Sequence, residues 1–528
     1  MITSQKKMQM KGWLLLCLLF GAFLNVRAQI SDGDEDPITV IRGPYLQVGS
    51  PTAMTIRWRT NVATRSRVRF GTTVNKWDLL KDDSTITTEH IVRISGLQPH
   101  TRYYYTVGTF ADTLQGDANN YFYTLPAVGS KDLIRIGAFG DCGNNSANQR
   151  NVKQSVLNYL GNNYMDAWIL LGDNAYGSGT DQEFQTKFFN VYKDDLLKQH
   201  PLYPTPGNHD YNDHDFPGAV EVAMRTHKTA YYQNFSMPTE AEDGGVPSHT
   251  QAFFSFDIGN VHFISLDSYG KEADQYRLYD TLGPQVQWVK RDLEANKNRQ
   301  WVIAYWHHPP YTMGSHNSDE ADELISIREN FIRILERNGV DLILCGHSHD
   351  YERSRLMKGH YGMMDSFDPA VHNLSHSSGL YDGSENSCPY VKDSLNAGTV
   401  YVVSGSAGKL GGRQKTYPHK AMQYANDTNG GASLLEIENN RLDLKWICAD
   451  GVIRDHFTMM KEVNKHNEIK AKAGQSLTLT ASFVGNYKWS EKGQATKSIT
   501  IKVAKGTNTY TVEDKEGCVK DTFTITAR

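Results

Sequence analysis

The sequence predicts an α/β core carried between two all-β modules. Three observations lead there. Between residues 132 and 447 short apolar runs alternate with stretches of helical spacing, the pattern of a sheet covered on both faces. On either side, over 38–125 and 464–528, apolar and polar residues alternate two by two, as in strands with one face buried. Within the middle region five apolar runs each end in a polar cluster rich in Asp, Asn, His and Gly. A chain of 528 residues has length for about three domains, in keeping with this division.

The chain begins with Lys6, Lys7 and Lys11 ahead of an apolar stretch over 13–26, followed by Val26-Arg27-Ala28. This reads as a secretory signal peptide over 1–28, since the apolar stretch is short for a membrane span and a polar segment follows. Cys17 lies inside that stretch without the small residue that would mark a lipoprotein. No later segment is apolar for long enough to span a bilayer, so the protein is expected outside the cytoplasm: periplasmic, at the cell surface or extracellular. A net charge of -4 and a pI near 6.6 leave no basic footprint for nucleic acid. The remaining cysteines, Cys142, Cys345, Cys388, Cys448 and Cys518, are odd in number, which excludes a fully paired disulfide framework. Cys142 and Cys345 fall at strand ends and read as buried thiols; Cys388 and Cys448 are the candidate pair.

After a polar linker at 31–36, strands are expected at 53–58, 67–70, 90–94 and 103–107. This first module, 37–126, resembles a fibronectin type III-like sandwich, with Leu97 and a tyrosine of the run Tyr103-Tyr104-Tyr105 packing its corner; a carbohydrate- or partner-binding role is the alternative to a purely structural one. The middle region, 131–460, has strand-like runs at 133–139, 167–171, 202–205, 301–306 and 341–345, and a hairpin of 252–257 with 261–267. Val152, Val156 and Leu160 mark one helix; Ile327, Phe331, Ile334 and Leu335 mark another. Runs at 399–403, 432–437 and 442–447 complete the sheet layers. The last stretch, 464–528, looks like a small immunoglobulin-like module around Trp489; spacer, cell-surface attachment unit and sorting element remain open as its role.

The five polar clusters are Gly140-Asp141-Cys142-Gly143, Gly172-Asp173-Asn174-Ala175-Tyr176, Gly207-Asn208-His209-Asp210, His307-His308-Pro309 and Gly346-His347-Ser348-His349. In open α/β sheets the carboxyl ends of the strands share one crevice, so all five converge there. His347 and His349 follow the run at 341–345 with one residue between them, and each is expected to reach a different ion. Carboxylate, amide oxygen, imidazole and phenol suit iron, manganese and zinc. A carboxylate bridges two such ions when they lie ~3.5–4 Å apart, and Asp173, in the central cluster, is the expected bridge.

The order D-x-G, G-D-x-x-Y, G-N-H-D, H-x-P and G-H-x-H, closing on Asp350-Tyr351-Glu352-Arg353, resembles the purple acid phosphatases over residues 38 to about 458. The resemblance implies the two-sheet βαβ metallophosphoesterase sandwich for the core. It implies one ion held by Asp141, Asp173, Tyr176 and His349, and a second held by Asp173, Asn208, His307 and His347. His307, rather than His308, is taken as the ligand from the family pattern. Most other calcineurin-like phosphoesterases carry a histidine where Gly143 stands and lack the tyrosine; the presence of Tyr176 implies a phenolate on a strongly Lewis-acidic ion. Two carboxylates and a phenolate favour Fe(III), with divalent Fe, Zn or Mn at the amide and imidazole site.

The implied activity is hydrolysis of phosphate monoesters by metal-activated hydroxide. His209 is expected to serve the leaving group, with Asp210 setting its tautomer, and His316 to face the substrate as in plant-type members. Tyr311, Asp350 and Arg353 are candidate supporting residues. His227, His249, His262, His419 and His456 receive no functional reading. The expected partners are small phosphorylated substrates, recognised by the irregular loops 314–322 and 359–392. A metallophosphoesterase acting on diesters or nucleotides is the first alternative; a cell-surface binding protein with a structural metal centre is the second.

Overall fold

Two seven-stranded sheets form the middle of the molecule in a computed structural model that describes residues 37–211, 217–394, 397–491 and 493–528. The segment 1–28 lies outside the described residues. In one sheet the strands run Phe254–Ile258, Val261–Ser265, Trp301–Tyr305, Leu342–Cys345, Val400–Ser404, Tyr351–Ser354 and Met422–Asn426. In the other the order is Tyr390–Lys392, Ile453–Lys461, Arg441–Cys448, Gly431–Glu438, Ile134–Phe139, Ala167–Leu171 and Leu202–Thr205. The apolar runs are buried along their whole length because both faces of each sheet are covered. One continuous apolar core joins the two sheets.

The central strands of each sheet pair in parallel, Val261–Ser265 through Val400–Ser404 in one and Ile134–Phe139 through Leu202–Thr205 in the other. Parallel pairing puts their carboxyl ends at one edge, where all the polar clusters lie. Helix Ala147–Leu160 starts at Ser146, whose hydroxyl accepts from the Gln149 amide, and buries Val152, Val156 and Leu160. The helical run 322–337 buries Ile327, Phe331 and Leu335 and leaves Ile334 half-buried.

The N-terminal module is a six-stranded sheet with its own core around Ile56, Trp58, Val68, Tyr105 and Phe122. The runs expected as separate strands at 53–58 and 67–70 belong to one strand, Ala53–Gly71. No Gly or Pro interrupts residues 59–66, and β-branched Thr60, Val62 and Thr64 keep the backbone extended. Leu97 is buried, and the Tyr103 hydroxyl accepts from the Gln98 amide, closing the corner. Arg42 ties this module to Asp181 at 2.8 Å, and the Tyr45 and Tyr105 hydroxyls donate to the carbonyls of Asn234 and Lys198.

The C-terminal strands form a four-stranded and a two-stranded sheet around Leu479, Phe483, Trp489, Val512 and Phe523, with Met460 of strand Ile453–Lys461 and Val463 just after it in the same core. Cys388 is bonded to Cys518, not to Cys448, which is free and buried along with Cys142 and Cys345. The reason is topological. Cys448 ends strand Arg441–Cys448, and strand Ile453–Lys461 separates it from the edge strand Tyr390–Lys392 beside Cys388. No helix of the described residues is long and apolar enough to cross a membrane.

Candidate metal centre

Strand Ile134–Phe139 delivers Asp141, strand Ala167–Leu171 delivers Asp173, and strand Leu342–Cys345 delivers His347, each just past a glycine. All three adopt left-handed backbone, with φ of 55°, 53° and 69°. For residues other than glycine this conformation is uncommon, and such outliers concentrate at functional sites. The turns aim the side chains inward: Asp141 is fully buried and Asp173 nearly so.

Asp141, Asp173 and His307 each present a donor atom within 4.8 Å of the others, and His307, His308 and His347 do the same. His307 anchors both groups. Its Nδ1 lies 2.8 Å from the Leu171 carbonyl and donates to it, which turns Nε2 toward Asp173 Oδ1 at 3.3 Å, Asn208 Oδ1 at 3.1 Å and His347 Nδ1 at 3.2 Å. A carbonyl fixing the tautomer is the usual support of a metal-binding imidazole. On the other side the Tyr176 hydroxyl donates to Asp141 Oδ1 at 2.8 Å and lies 3.2 Å from His349 Nε2. Asp141 Oδ2 accepts from the His347 amide at 2.8 Å. The two imidazoles of Gly346-His347-Ser348-His349 therefore serve opposite sides of the cluster.

Glycine is required where these donors approach one another. A Cβ on Gly207 would overlap Asp173 Oδ1, and one on Gly172 would overlap the His307 ring. Electrostatics point the same way. Burial opposes the imidazolium of His307, but the neighbouring Asp173 and Asp141 carboxylates lift it to about 9. Burial would also raise Asp173, yet His307 and His209 hold it far below the carboxylate range. Asp141, buried and next to the Asp173 charge, is driven up despite His307. Burial and the two carboxylates push the Tyr176 phenol up as well. Protons on these groups balance clustered negative charge, which is the task of a bound cation. The donor set, with carboxylate, imidazole, amide and phenol oxygen around one small volume, fits a pair of metal ions.

His209 donates its amide to Asp173 Oδ1 at 3.0 Å, and its Nδ1 lies 2.5 Å from the Gly177 carbonyl. The tautomer is thus set by Gly177 and not by Asp210. The Asp210 carboxylate instead accepts from the Gly207 amide at 2.8 Å and from Asn174 Nδ2 at 2.9 Å, bracing the two turns that carry Asn208 and Asp173. The His316 ring stacks on His347 with centroids 3.7 Å apart. His308 turns its Nδ1 to Ser268 Oγ at 2.8 Å. Arg353 is bidentate to Asp455, at 2.6 and 2.8 Å, and Tyr311 donates to the His360 carbonyl. Both contacts are structural. Asp350 is buried.

Two residues at the centre carried no prediction. Ser315 Oγ accepts from the His349 amide at 3.0 Å. Lys409 places its Nζ over the Tyr176 ring, 4.8 Å from the centroid. The signal for Lys409 was present, because Gly405-Ser406-Ala407-Gly408-Lys409 repeats the strand–glycine–polar pattern of the other clusters.

A model of the calcineurin-like phosphoesterases matches residues 134–351, which contain every residue assigned above to the candidate ligand set. A model described as the purple acid phosphatase N-terminal domain matches residues 41–123. The chain is 25% identical over 448 residues to a protein named probable purple acid phosphatase 20 from Arabidopsis thaliana, covering 81% of this chain and 90% of that one. Acid phosphatase type 7 of Mus musculus is 24% identical over 75% of this chain and 84% of its own length. Purple acid phosphatase 15 of Arabidopsis thaliana is 27% identical, but the match spans about half of each chain, 50% here and 49% there. Among solved structures, the yellow lupin purple acid phosphatase PPD1 superposes with a TM-score of 0.61 at 18% identity, covering 80% of this chain and 75% of that one. PhoD superposes with 0.54 at 12% identity, covering 79% and 89%. These superpositions establish the shared fold. Sequence matches to both regions, the fold and the buried donor cluster agree on a metal-dependent phosphoesterase, similar over residues 134–351 to the calcineurin-like phosphoesterases and over 41–123 to the purple acid phosphatase N-terminal domain.

Proposed function

We propose that the chain is a secreted acid phosphatase that hydrolyses phosphate monoesters at a binuclear metal centre. Asp141, Asp173, Tyr176 and His349 are assigned to one ion, and Asp173, Asn208, His307 and His347 to the other. The observation that carries this reading is the Tyr176 hydroxyl set between Asp141 and His349, at 2.8 and 3.2 Å. With the Asp141 and Asp173 carboxylates nearby, a buried phenol keeps its proton unless a strong Lewis acid takes the place of that proton. Fe(III) is therefore assigned to this side, and divalent Fe, Zn or Mn to the amide and imidazole side. The names of the relatives, acid and purple acid phosphatases, support the phosphatase reading.

When bound, the ion pair supplies Lewis acidity toward phosphoryl oxygens and a water acidic enough to act as nucleophile. The chain's own residues do the rest. His209, with Nδ1 engaged by Gly177, keeps Nε2 toward the centre, 3.8 Å from Asp173 Oδ2, where it serves as proton donor to the leaving oxygen. Asp210 is a positioning residue for the Asp173 and Asn208 turns. His316, held on His347, lines the side where substrate enters. Residues 1–28 are assigned as a removed leader, 37–126 as a fibronectin-like module, 131–460 as the catalytic domain, and 464–528 as an immunoglobulin-like module suited to cell-surface attachment.

The test is hydrolysis of 4-nitrophenyl phosphate, bis(4-nitrophenyl) phosphate and a nucleotide by the metal-loaded protein and its Asp173→Asn variant. The monoester is expected to be the preferred substrate. Since losing even a supporting residue of a metal site typically costs 10- to 100-fold, loss of the shared carboxylate is expected to cost more than about a hundredfold. Faster cleavage of the diester, or full activity in the variant, would overturn the reading.

A further inference from the structure

Strand Val400–Ser404 ends in a glycine-rich stretch, 405–412, that folds back over the candidate centre. Its backbone is pinned to the turns that carry the donors. The Ala407 amide donates to the Gly140 carbonyl at 3.2 Å, Lys409 to Asp141 at 2.9 Å and Gly411 to His349 at 3.0 Å. At Gly408 a Cβ would come within 2.7 to 2.8 Å of the Cys142 and Asp141 carbonyls, so the stretch lies directly against the turn. Lys409 is thereby delivered to the centre as firmly as the donors themselves.

Its ammonium lies over the face of Tyr176, 4.8 Å from the ring centroid, while the hydroxyl of that ring points at Asp141 and His349. Lys409 is half-buried, and among the described residues no carboxylate forms an ion pair with it. A half-buried ammonium of this kind is a place prepared for an arriving anion. Lysine suits the task, since its charge sits on a flexible four-carbon stem that reaches a phosphoryl group without demanding one geometry.

Resting on the phosphatase reading above, we propose that Lys409 binds the non-bridging phosphoryl oxygens of the substrate and selects the dianionic monoester over the monoanionic diester. The selectivity follows from charge, because one positive charge attracts a dianion more strongly than a monoanion at the same distance.

The test compares Lys409→Met, which keeps the stem and removes the charge, with Lys409→Arg, which keeps the charge. Inorganic phosphate binding is measured by titration calorimetry on metal-loaded protein, and steady-state kinetics are measured on 4-nitrophenyl phosphate and bis(4-nitrophenyl) phosphate. A lost charge-assisted hydrogen bond corresponds to about a ten- to hundredfold change in affinity. Lys409→Met is expected to weaken phosphate by that factor and to raise KM for the monoester in step, with little change for the diester. Metal content should be unchanged, and Lys409→Arg should restore most of the loss. Unchanged phosphate affinity in Lys409→Met, or an equal loss on both esters, would overturn the proposal. A wild-type protein that cleaves neither ester overturns the phosphatase reading instead, and the phosphate titration then decides on Lys409 by itself.

Discussion

Three of the assigned ligand positions, Asp141, Asp173 and His347, hold left-handed backbone at the same strand edge. Each such residue costs on the order of 1–3 kcal/mol, sustained by the packing around it. The return is convergence: donors from three strands meet without intervening backbone. Gly207 shows how tight this is, since its Cβ position is already filled by Asp173. In Gly207→Ala, metal analysis is expected to find fewer than two ions per chain, with kcat/KM down more than about a hundredfold. Denaturation should show an overpacking loss of about 1–3 kcal/mol. Two ions bound at wild-type affinity would show that Asp173 does not need the space. The donors themselves were legible in the sequence, because each stands at a fixed offset from a strand-ending glycine or proline. The partner of His209 was not. Gly177 contributes a backbone carbonyl, which leaves no signature in a residue string, whereas Asp210 beside it has the right chemistry and the wrong direction.

Among the elements, the apolar runs that became parallel strands were legible to within a residue at most ends, because burial on both faces demands continuous apolar sequence. Strand Ala53–Gly71 was not, since its middle, half of it exposed, loses the alternation by which strands are recognised. The hairpin Phe254–Ile258 with Val261–Ser265 carries a buried ion network that no motif announces. His262 lies between Asp257 at 2.8 Å and Asp292 at 2.6 Å, tying the hairpin to helix Pro284–Ala295, with Arg299 on Asp257 at 2.6 Å. Burial opposes the imidazolium, but the two carboxylates lift its pKa to about 9. In the unfolded chain a histidine titrates near ~6.5. The folded value is the higher one, so this stabilisation is complete below ~6.5 and is lost as pH rises through about 9. It amounts to a few kcal/mol. Thermal melts from pH 6 to pH 10 are expected to show this loss, and His262→Gln should show a lower Tm at pH 6 with a flatter profile above it. A variant with the wild-type slope would assign the pH dependence elsewhere.

At the scale of the whole molecule the two β-modules are docked onto the core. The C-terminal module shares apolar contacts with Met460 and Val463, and the Tyr381 hydroxyl donates to Asp514 at 2.8 Å. Cys388–Cys518 then closes a separation of 130 residues. Loss of a native disulfide costs about 2–5 kcal/mol in small secreted domains. A Cys388→Ser/Cys518→Ser protein is expected to show an earlier calorimetric transition for the C-terminal module and faster proteolysis between the core and residue 466. Phosphatase activity should remain within about twofold of wild type, since surface changes far from a site add independently. Coincident melting of module and core in this variant would show that the noncovalent contacts suffice.

The proposal of a binuclear centre with a tyrosine-bound ferric ion is tested most directly by the visible spectrum of the iron-loaded protein beside its Tyr176→Phe variant at matched metal content. The expected result is a violet charge-transfer band, with two ions per chain, in the wild type and no such band in the variant. An iron-loaded wild type without the band, or a band that survives in Tyr176→Phe, would contradict the assignment of Tyr176 to the metal.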